Sequence, residues 1–293
     1  MKTIYSILVI IDPKHDNNPV LTRAKEFATV MKASLHLLIC DESKNKAGLL
    51  TSLVNNLQQE GFQATSEIAW YNNYHNTIVT IQKAQGCGLV IKTHLADSAL
   101  KRVIITPEDW KLLRTCPCPI LIVNQDRSWL GRSVLAAVDL GNPDKNHIAL
   151  HDGIVKLANT LTRVAEGNLH LVSVYPSPIF SEIHPDSNVP GMTPEIKEIY
   201  TSACKAFEDQ YPALAKENIH LAAGAADIII PQVAKELDAA VCVIGTVART
   251  GISGVLIGNT VEAILDDLDC DILILKPDSI NEQLQQLIKQ IQY

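Results

Sequence analysis

Short apolar runs separated by polar turns recur along the chain, and they recur in the same order twice. SILVIID (Ser6–Asp12) opens the sequence, and SVLAAVD (Ser133–Asp139) repeats its pattern of an apolar run ending in aspartate. Polar turn residues follow each, and then a helical stretch, Val20–Met31 in the first case and His147–Val164 in the second. Each helix leads to a strand with histidine in second place, LHLLIC (Leu35–Cys40) and LHLVSVY (Leu169–Tyr175). Further on come GLVIKT (Gly88–Thr93) and AVCVIGT (Ala240–Thr246), and the series closes with CPILIV (Cys118–Val123) and CDILIL (Cys270–Leu275). Asp12 and Asp139 are 127 residues apart, His36 and His170 are 134 apart, and Cys118 and Cys270 are 152 apart. The chain is therefore a tandem duplication whose second copy carries insertions, chiefly between its second and third strands.

Continuously apolar strands are covered on both faces, and their alternation with amphipathic helices predicts a mostly parallel α/β sheet in each copy. Ile78–Ala84 and Ile228–Leu237 are the helices expected before the fourth strands. The polar stretch Gln125–Arg132, which holds Trp129 and Gly131, reads as the linker. The expected organisation is a first domain over 1–127, a second over 131–277, and a tail over 278–293. That tail carries Ile280, Leu284, Leu287, Ile288 and Ile291 at helical spacing, as a helix packed on its own chain or on a partner would.

Composition fits this picture. The 293 residues suffice for two domains, and 47% hydrophobic against 19% charged residues excludes a mostly disordered chain. No apolar run approaches the ~20 residues that span a bilayer. Lys2 before Ile4–Ile11 has the polarity of a signal peptide, but Asp12-Pro13-Lys14 stands where small residues would mark cleavage. A net charge of −7 without basic runs argues against nucleic acid or an anionic membrane as partner. Seven scattered cysteines, several inside apolar runs, are the usage of a reduced, cytoplasmic protein rather than a disulfide framework. Cys118, matched by Cys270 in the second copy, reads as a packing residue, and the Cys116-Pro-Cys118 arrangement itself has no explanation in the sequence. A zinc site drawing on Cys87, Cys116, Cys118 and His75 or His94 has the right ligand types but no paired spacing. His36 and His170 occupy equivalent strand positions, which points to a shared structural role. No Ser/His/Asp order or carboxylate pair marks acid–base chemistry.

In an open parallel sheet, ligands bind beyond the carboxyl ends of the strands. There the second copy runs from Gly245 through Arg249, Gly251 and Gly254 to Gly258-Asn259-Thr260, where the helical stretch Val261–Leu268 begins. Small residues let a backbone approach phosphate oxygens, and a helix start adds free N–H groups. Arg249 offers a cation, or is solvated. Asp139 ends the first strand at the same edge, where a carboxylate could accept from ribose or adenine. Spacing alone leaves open a glycine-rich loop without ligand, since neither a P-loop nor a GxGxxG is present. The Pro- and Ser-rich segment 176–194 reads as a long loop that either folds over a ligand or is a disordered insertion.

The stretch GTVARTGISGVLIGNTVEAILDDLDCDILILKP resembles the C-terminal signature of universal stress proteins, and the resemblance extends over nearly the whole chain, especially to the tandem-domain (E-type) members. It implies two five-stranded nucleotide-binding α/β domains with pairing through the last strands, here within one molecule, and a homodimer as a further possibility. Transferred by position, Asp139 and Val174 would hold adenosine, while Gly245, Ala248, Gly258, Asn259 and Thr260 would hold the phosphates. ATP or AMP is the implied ligand, and ATP would bring Mg²⁺. Ala248 stands in place of the family's second glycine and Asn259 in place of its Ser/Thr. The resemblance implies a sensor or regulatory binding protein; slow ATP hydrolysis and a scaffold or metabolite binder with a vestigial site are the alternatives. In the first copy Lys92 and Leu95 replace Gly245 and Ala248, and Thr106-Pro107-Glu108 replaces Gly258-Asn259-Thr260, so nucleotide binding in the family's manner is not expected there.

Overall fold

A computed structural model describes residues 4–14, 19–43, 46–93, 106–142, 144–175, 194–246, 249–251, 254–256, 259–282 and 284. The first copy runs β1 (Ser6–Ile10), α1 (Pro19–Met31), β2 (Ser34–Cys40), α2 (Ala47–Gln59), β3 (Ala64–Ala69), α3 (Tyr74–Ala84), β4 (Leu89–Thr93), α4 (Pro107–Thr115) and β5 (Ile120–Val123). The second runs β6 (Val134–Ala137), α5 (Lys145–Ala165), β7 (Leu169–Tyr175), α6 (Pro194–Gln210), β8 (Ile219–Ala223), α7 (Ala226–Glu236), β9 (Val241–Gly245), a hairpin of β10 (Arg249–Gly251) and β11 (Gly254–Leu256), α8 (Asn259–Asp267) and β12 (Asp271–Leu275). Residues 278–282 of the tail are helical, and Ile280 and Leu284 are buried together.

Ten strands form one sheet, in the order β3-β2-β1-β4-β5-β12-β9-β6-β7-β8. Within this sheet every pairing inside a copy is parallel, and the two copies meet where β5 and β12 run antiparallel, with Ile122 opposite Ile272 and Ile120 opposite Ile274. Successive residues of a strand feed opposite faces. Ile7 and Val9 join one core cluster, while Leu8 and Ile10 join the other, and both clusters cross the seam into the second copy. This two-sided burial is why the strands read as unbroken apolar runs.

Asp271 fastens the seam. It opens β12 with no exposed surface, and its carboxylate fills both oxygens with donors from the first copy and the connecting segment. Oδ1 accepts from the backbone N–H groups of Asn124 (2.8 Å) and Gln125 (3.1 Å). Oδ2 accepts from Arg23 Nε on α1 (2.9 Å) and Trp129 Nε1 (2.8 Å). Arg23 also lies 4.5 Å over the Trp129 ring, which packs edge-on against Phe27. The segment Gln125–Arg132, expected as a polar linker, is anchored in the core through one side chain: Trp129 is only 1% exposed, while Asp126, Arg127, Ser128 and Leu130 are exposed. Its neighbours are polar because their side chains and carbonyls serve this cluster and the Arg127 and Arg132 contacts to Asp238.

The two equivalent histidines peg the second strand of each copy to the third. His36 bridges Thr65 Oγ1 (2.7 Å) and Glu67 Oε1 (2.9 Å) on β3. His170 meets His220 on β8, ring nitrogens 3.1 Å apart and rings stacked. Burial pushes His170 and His220 below the ordinary histidine range, with the neighbouring ring adding to it for His170.

Asp271→Asn keeps the shape but cannot accept from all four donors, and breaking a buried pair in this way is expected to cost about 3–5 kcal/mol. Urea denaturation would show it as a lowered midpoint, and a loss below about 1 kcal/mol would contradict the role given to Asp271. The histidine pair carries a pH dependence. Because folding lowers both pKa values, the unfolded chain binds more protons below about pH 6.5, so stability falls on acidification through that range. Melting temperatures between about pH 5 and 7.5 should fall less steeply in His170→Asn/His220→Asn than in the parent, and parallel curves would contradict the assignment.

Candidate functional site

In each copy the strand order reverses between the first and fourth strands, which opens a crevice beyond their carboxyl ends. In the second copy it lies past β6 and β9. Asp139 stands just beyond β6, and its Oδ1 accepts from the Tyr200 hydroxyl on α6 at 2.8 Å. The loop after Asp139 is held by Leu140 N–H on the buried Ser173 Oγ (3.2 Å). Beside it lies the His151 ring on α5. Burial holds this imidazole below its ordinary range, although Asp139 pulls the other way, and its Nε2 is buried without a hydrogen-bond partner. Val174 sits two strands' width into the same edge, on β7 and opposite Ala222 of β8.

Gly245 closes β9 tightly against α5. A Cβ there would lie 2.9 Å from Leu150 Cδ1 and 3.0 Å from Ile154 Cδ1, so those side-chain ends would have to shift. Next, Thr246 N–H donates to Leu275 O (2.7 Å), while its hydroxyl is fully buried and unpartnered. Arg249 begins the β10–β11 hairpin, in which Arg249 faces Leu256 and Gly251 faces Gly254. The sequence pattern had suggested only a glycine-rich loop here; three-residue strands are too short for a two-residue alternation to register. Asn259 and Thr260 are the first two residues of α8, as the expected helix start requires. Ala248 and Gly258 lie outside the described residues, as does most of the 176–194 loop.

The matching crevice of the first copy is filled by its own side chains. Lys92, which stands where the second copy has Gly245, donates from Nζ to Asp109 Oδ1 (2.5 Å) and to Thr93 O (2.6 Å), and both charged side chains are 1% exposed. Asp109 and Thr106 form a reciprocal capping box at the start of α4: Thr106 Oγ1 accepts from Asp109 N–H, and Asp109 Oδ2 accepts from Thr106 N–H. The helix N-terminus that would face a phosphate is thus satisfied internally. Glu108 accepts from Lys111 (2.8 Å) and His75 (2.9 Å), hydrogen bonds that hold its carboxyl below the usual range. None of these pairings could be read from the loop's composition, beyond the signal that a lysine had replaced Gly245 and a glutamate Thr260.

The zinc reading finds no support in the described residues, where no three histidine, cysteine or acidic side chains converge on a metal position. All seven cysteines are free thiols, Cys116 and Cys118 with sulfurs 3.6 Å apart, and His75 is engaged by Glu108. His94 lies outside the described residues. Among the described residues no helix is long and apolar enough to cross a membrane.

The sequence model of the universal stress protein family matches residues 4–124 and again 131–276. Universal stress protein E of Escherichia coli K12 is 32% identical over 95% of this chain and 96% of its own length. A homologue of that protein in Haemophilus influenzae is 30% identical over 93% of this chain and 97% of its own. The crystal structure of a protein of unknown function from Pseudomonas aeruginosa PAO1 superposes with a TM-score of 0.87 at 43% identity, covering 98% of both chains. With both halves matched by the family and relatives aligned almost end to end, the chain is a tandem member of the universal stress protein family.

Proposed function

We propose that the second copy binds an adenine nucleotide, ATP or AMP, and that the protein acts in stress response as a sensor or regulatory binding protein. The observation that carries this reading is the passage from β9 to α8. There a closely packed glycine, a short hairpin with glycines at its turn and a helix start follow one another after β9, the strand paired with the one that Asp139 follows. In this reading Asp139 accepts from the nucleoside, and Val174 lines the same edge. Gly245, Ala248, Gly258, Asn259 and Thr260 surround the phosphates, and Arg249 supplies a cation. Two buried polar atoms without partners at this edge, Thr246 Oγ1 and His151 Nε2, fit a site that takes a polar ligand. Free N–H groups at the start of α8 and the helix dipole would favour an anion, which a chain of net charge −7 does not attract by its overall field.

The first copy, in this reading, is a structural half. A lysine ammonium already neutralised by Asp109 and a helix start already capped leave no free charge for phosphate. The seven free thiols are in keeping with the cytoplasm as its place of action. Mg²⁺ would come with ATP on its phosphates; Asp139, the carboxylate nearest this role in sequence, is engaged by Tyr200.

Isothermal titration of the purified chain with ATP, ADP and AMP should show saturable binding. Gly258→Asp sets a carboxylate against the phosphates and should weaken ATP by at least about a hundredfold, since juxtaposed like charges cost several kcal/mol. No saturation with any of the three nucleotides in the parent protein would end the nucleotide reading.

A further inference from the structure

Tyr200 sits where the proposed ligand's nucleoside would need to be. Its hydroxyl donates to Asp139 Oδ1 at 2.8 Å. Its ring packs against Gly141: a Cβ added at that glycine would stand 2.1 Å from Tyr200 Cε2 and 2.3 Å from Cζ. No residue but glycine could leave the ring this close to the chain. The ring also meets Tyr175, at the end of β7, with centroids 5.8 Å apart. Tyr175 directly follows Val174, so the phenol spans the edge from the end of the first strand to the end of the second. That span is the one assigned to adenosine above. Half-buried and facing a carboxylate, the phenol is pushed well above the ordinary tyrosine range, which keeps it a hydrogen-bond donor at all physiological pH.

Among the described residues, these charged and titratable groups stand around this contact. Asp139 faces Tyr200 from the β6 end, His151 approaches the Asp139 carbonyl from α5, and Asp152 and His147 act on His151 from the same helix. None competes with Tyr200 for Oδ1 in the hydrogen bonds described. The oxygen has room for a second donor, so it is the phenol ring, packed on Gly141 and Tyr175, that a nucleoside entering this edge must move before its own hydroxyl or amino group reaches Asp139. One neutral donor then replaces another on the same carboxylate, so this hydrogen bond adds little net affinity, while the aromatic packing on Gly141 and Tyr175 is lost.

Building on the nucleotide reading of the second copy, we propose that Tyr200 sets its affinity: the phenol holds the nucleoside's place on Asp139, and a nucleotide binds by displacing it. The apparent dissociation constant is then the intrinsic one divided by the fraction of molecules in which Tyr200 has left Asp139. Phosphates, which engage the β9–α8 passage, do not meet this barrier. The second copy therefore discriminates by how strongly the nucleoside end competes with an internal tyrosine. Only ligands with a good donor for Asp139 and a face to replace the phenol ring would bind well.

The test compares the full chain with Tyr200→Phe, which keeps the ring and removes the donor, and with Tyr200→Ala, which removes both. Each is titrated with adenosine, AMP and inorganic tripolyphosphate. Tyr200→Phe should bind adenosine and AMP about tenfold more tightly or better, because a hydrogen bond to a charged group is worth at least that factor. Tripolyphosphate binding should not change. Tightening in either variant when the parent binds no nucleoside measurably would support both the displacement and the nucleotide reading. If the parent binds AMP and both variants bind it equally or more weakly, Tyr200 is part of the site wall and the inference fails while the nucleotide reading stands. Equal tightening of tripolyphosphate also overturns it. If none of the three proteins binds any nucleotide, both readings fall together.

Discussion

A single buried carboxylate holds the two halves of this molecule together. Taking Asp271 out of water costs several kcal/mol, and only a complete set of donors offsets that cost. The structure supplies one for each lone-pair direction: a guanidinium from α1, an indole from the connecting segment and two backbone N–H groups just past β5. The donors come from three stretches of chain that meet only when β5 and β12 lie side by side. Satisfying Asp271 therefore selects the antiparallel seam from among the other ways two open sheets could pack, and the seam in turn makes ten strands one sheet with two continuous cores.

The lock is one-sided. Aligned through CPILIV and CDILIL, the position of Asp271 in the first copy is Pro119, which has no side-chain acceptor and no N–H. The same asymmetry runs through the crevices. In the second, glycine at β9 admits close packing of α5 and leaves buried polar atoms without partners nearby. In the first, Lys92 and Asp109 neutralise one another where a ligand's charge would go. A buried pair of this kind adds little net stability compared with apolar residues of the same size, but it closes the space to an anion. Duplication supplied two crevices, and the side chains have filled one of them.

The inner strands were legible because they are apolar on both faces, and the duplication because each repeats in order. The edge strands were not. β3 (ATSEIA) and β8 (IHLAA) lie at the two ends of the sheet, with half-exposed positions along most of their length, so no apolar run announces them. α3 begins at Tyr74, four residues before the apolar Ile78, because Asn73 caps it through Asn76 N–H while its first turn is polar. Trp129 looked like an isolated aromatic in a polar linker; its partners Arg23 and Asp271 are more than a hundred residues away on either side. Asp139 was legible as a carboxylate at the right edge, but not that Tyr200 would be bonded to it, since nothing local couples two residues 61 apart. The family resemblance implied pairing through the last strands, and an aspartate opening the otherwise apolar DILIL was a signal of the seam in the residues themselves: a charge in a buried strand must have found partners.

The central claim is that two copies of one fold provide one working site. Equilibrium dialysis of the intact chain against labelled ATP, carried to saturation, tests it most directly. The account predicts that binding levels off at one nucleotide per chain; saturation at two per chain would contradict it.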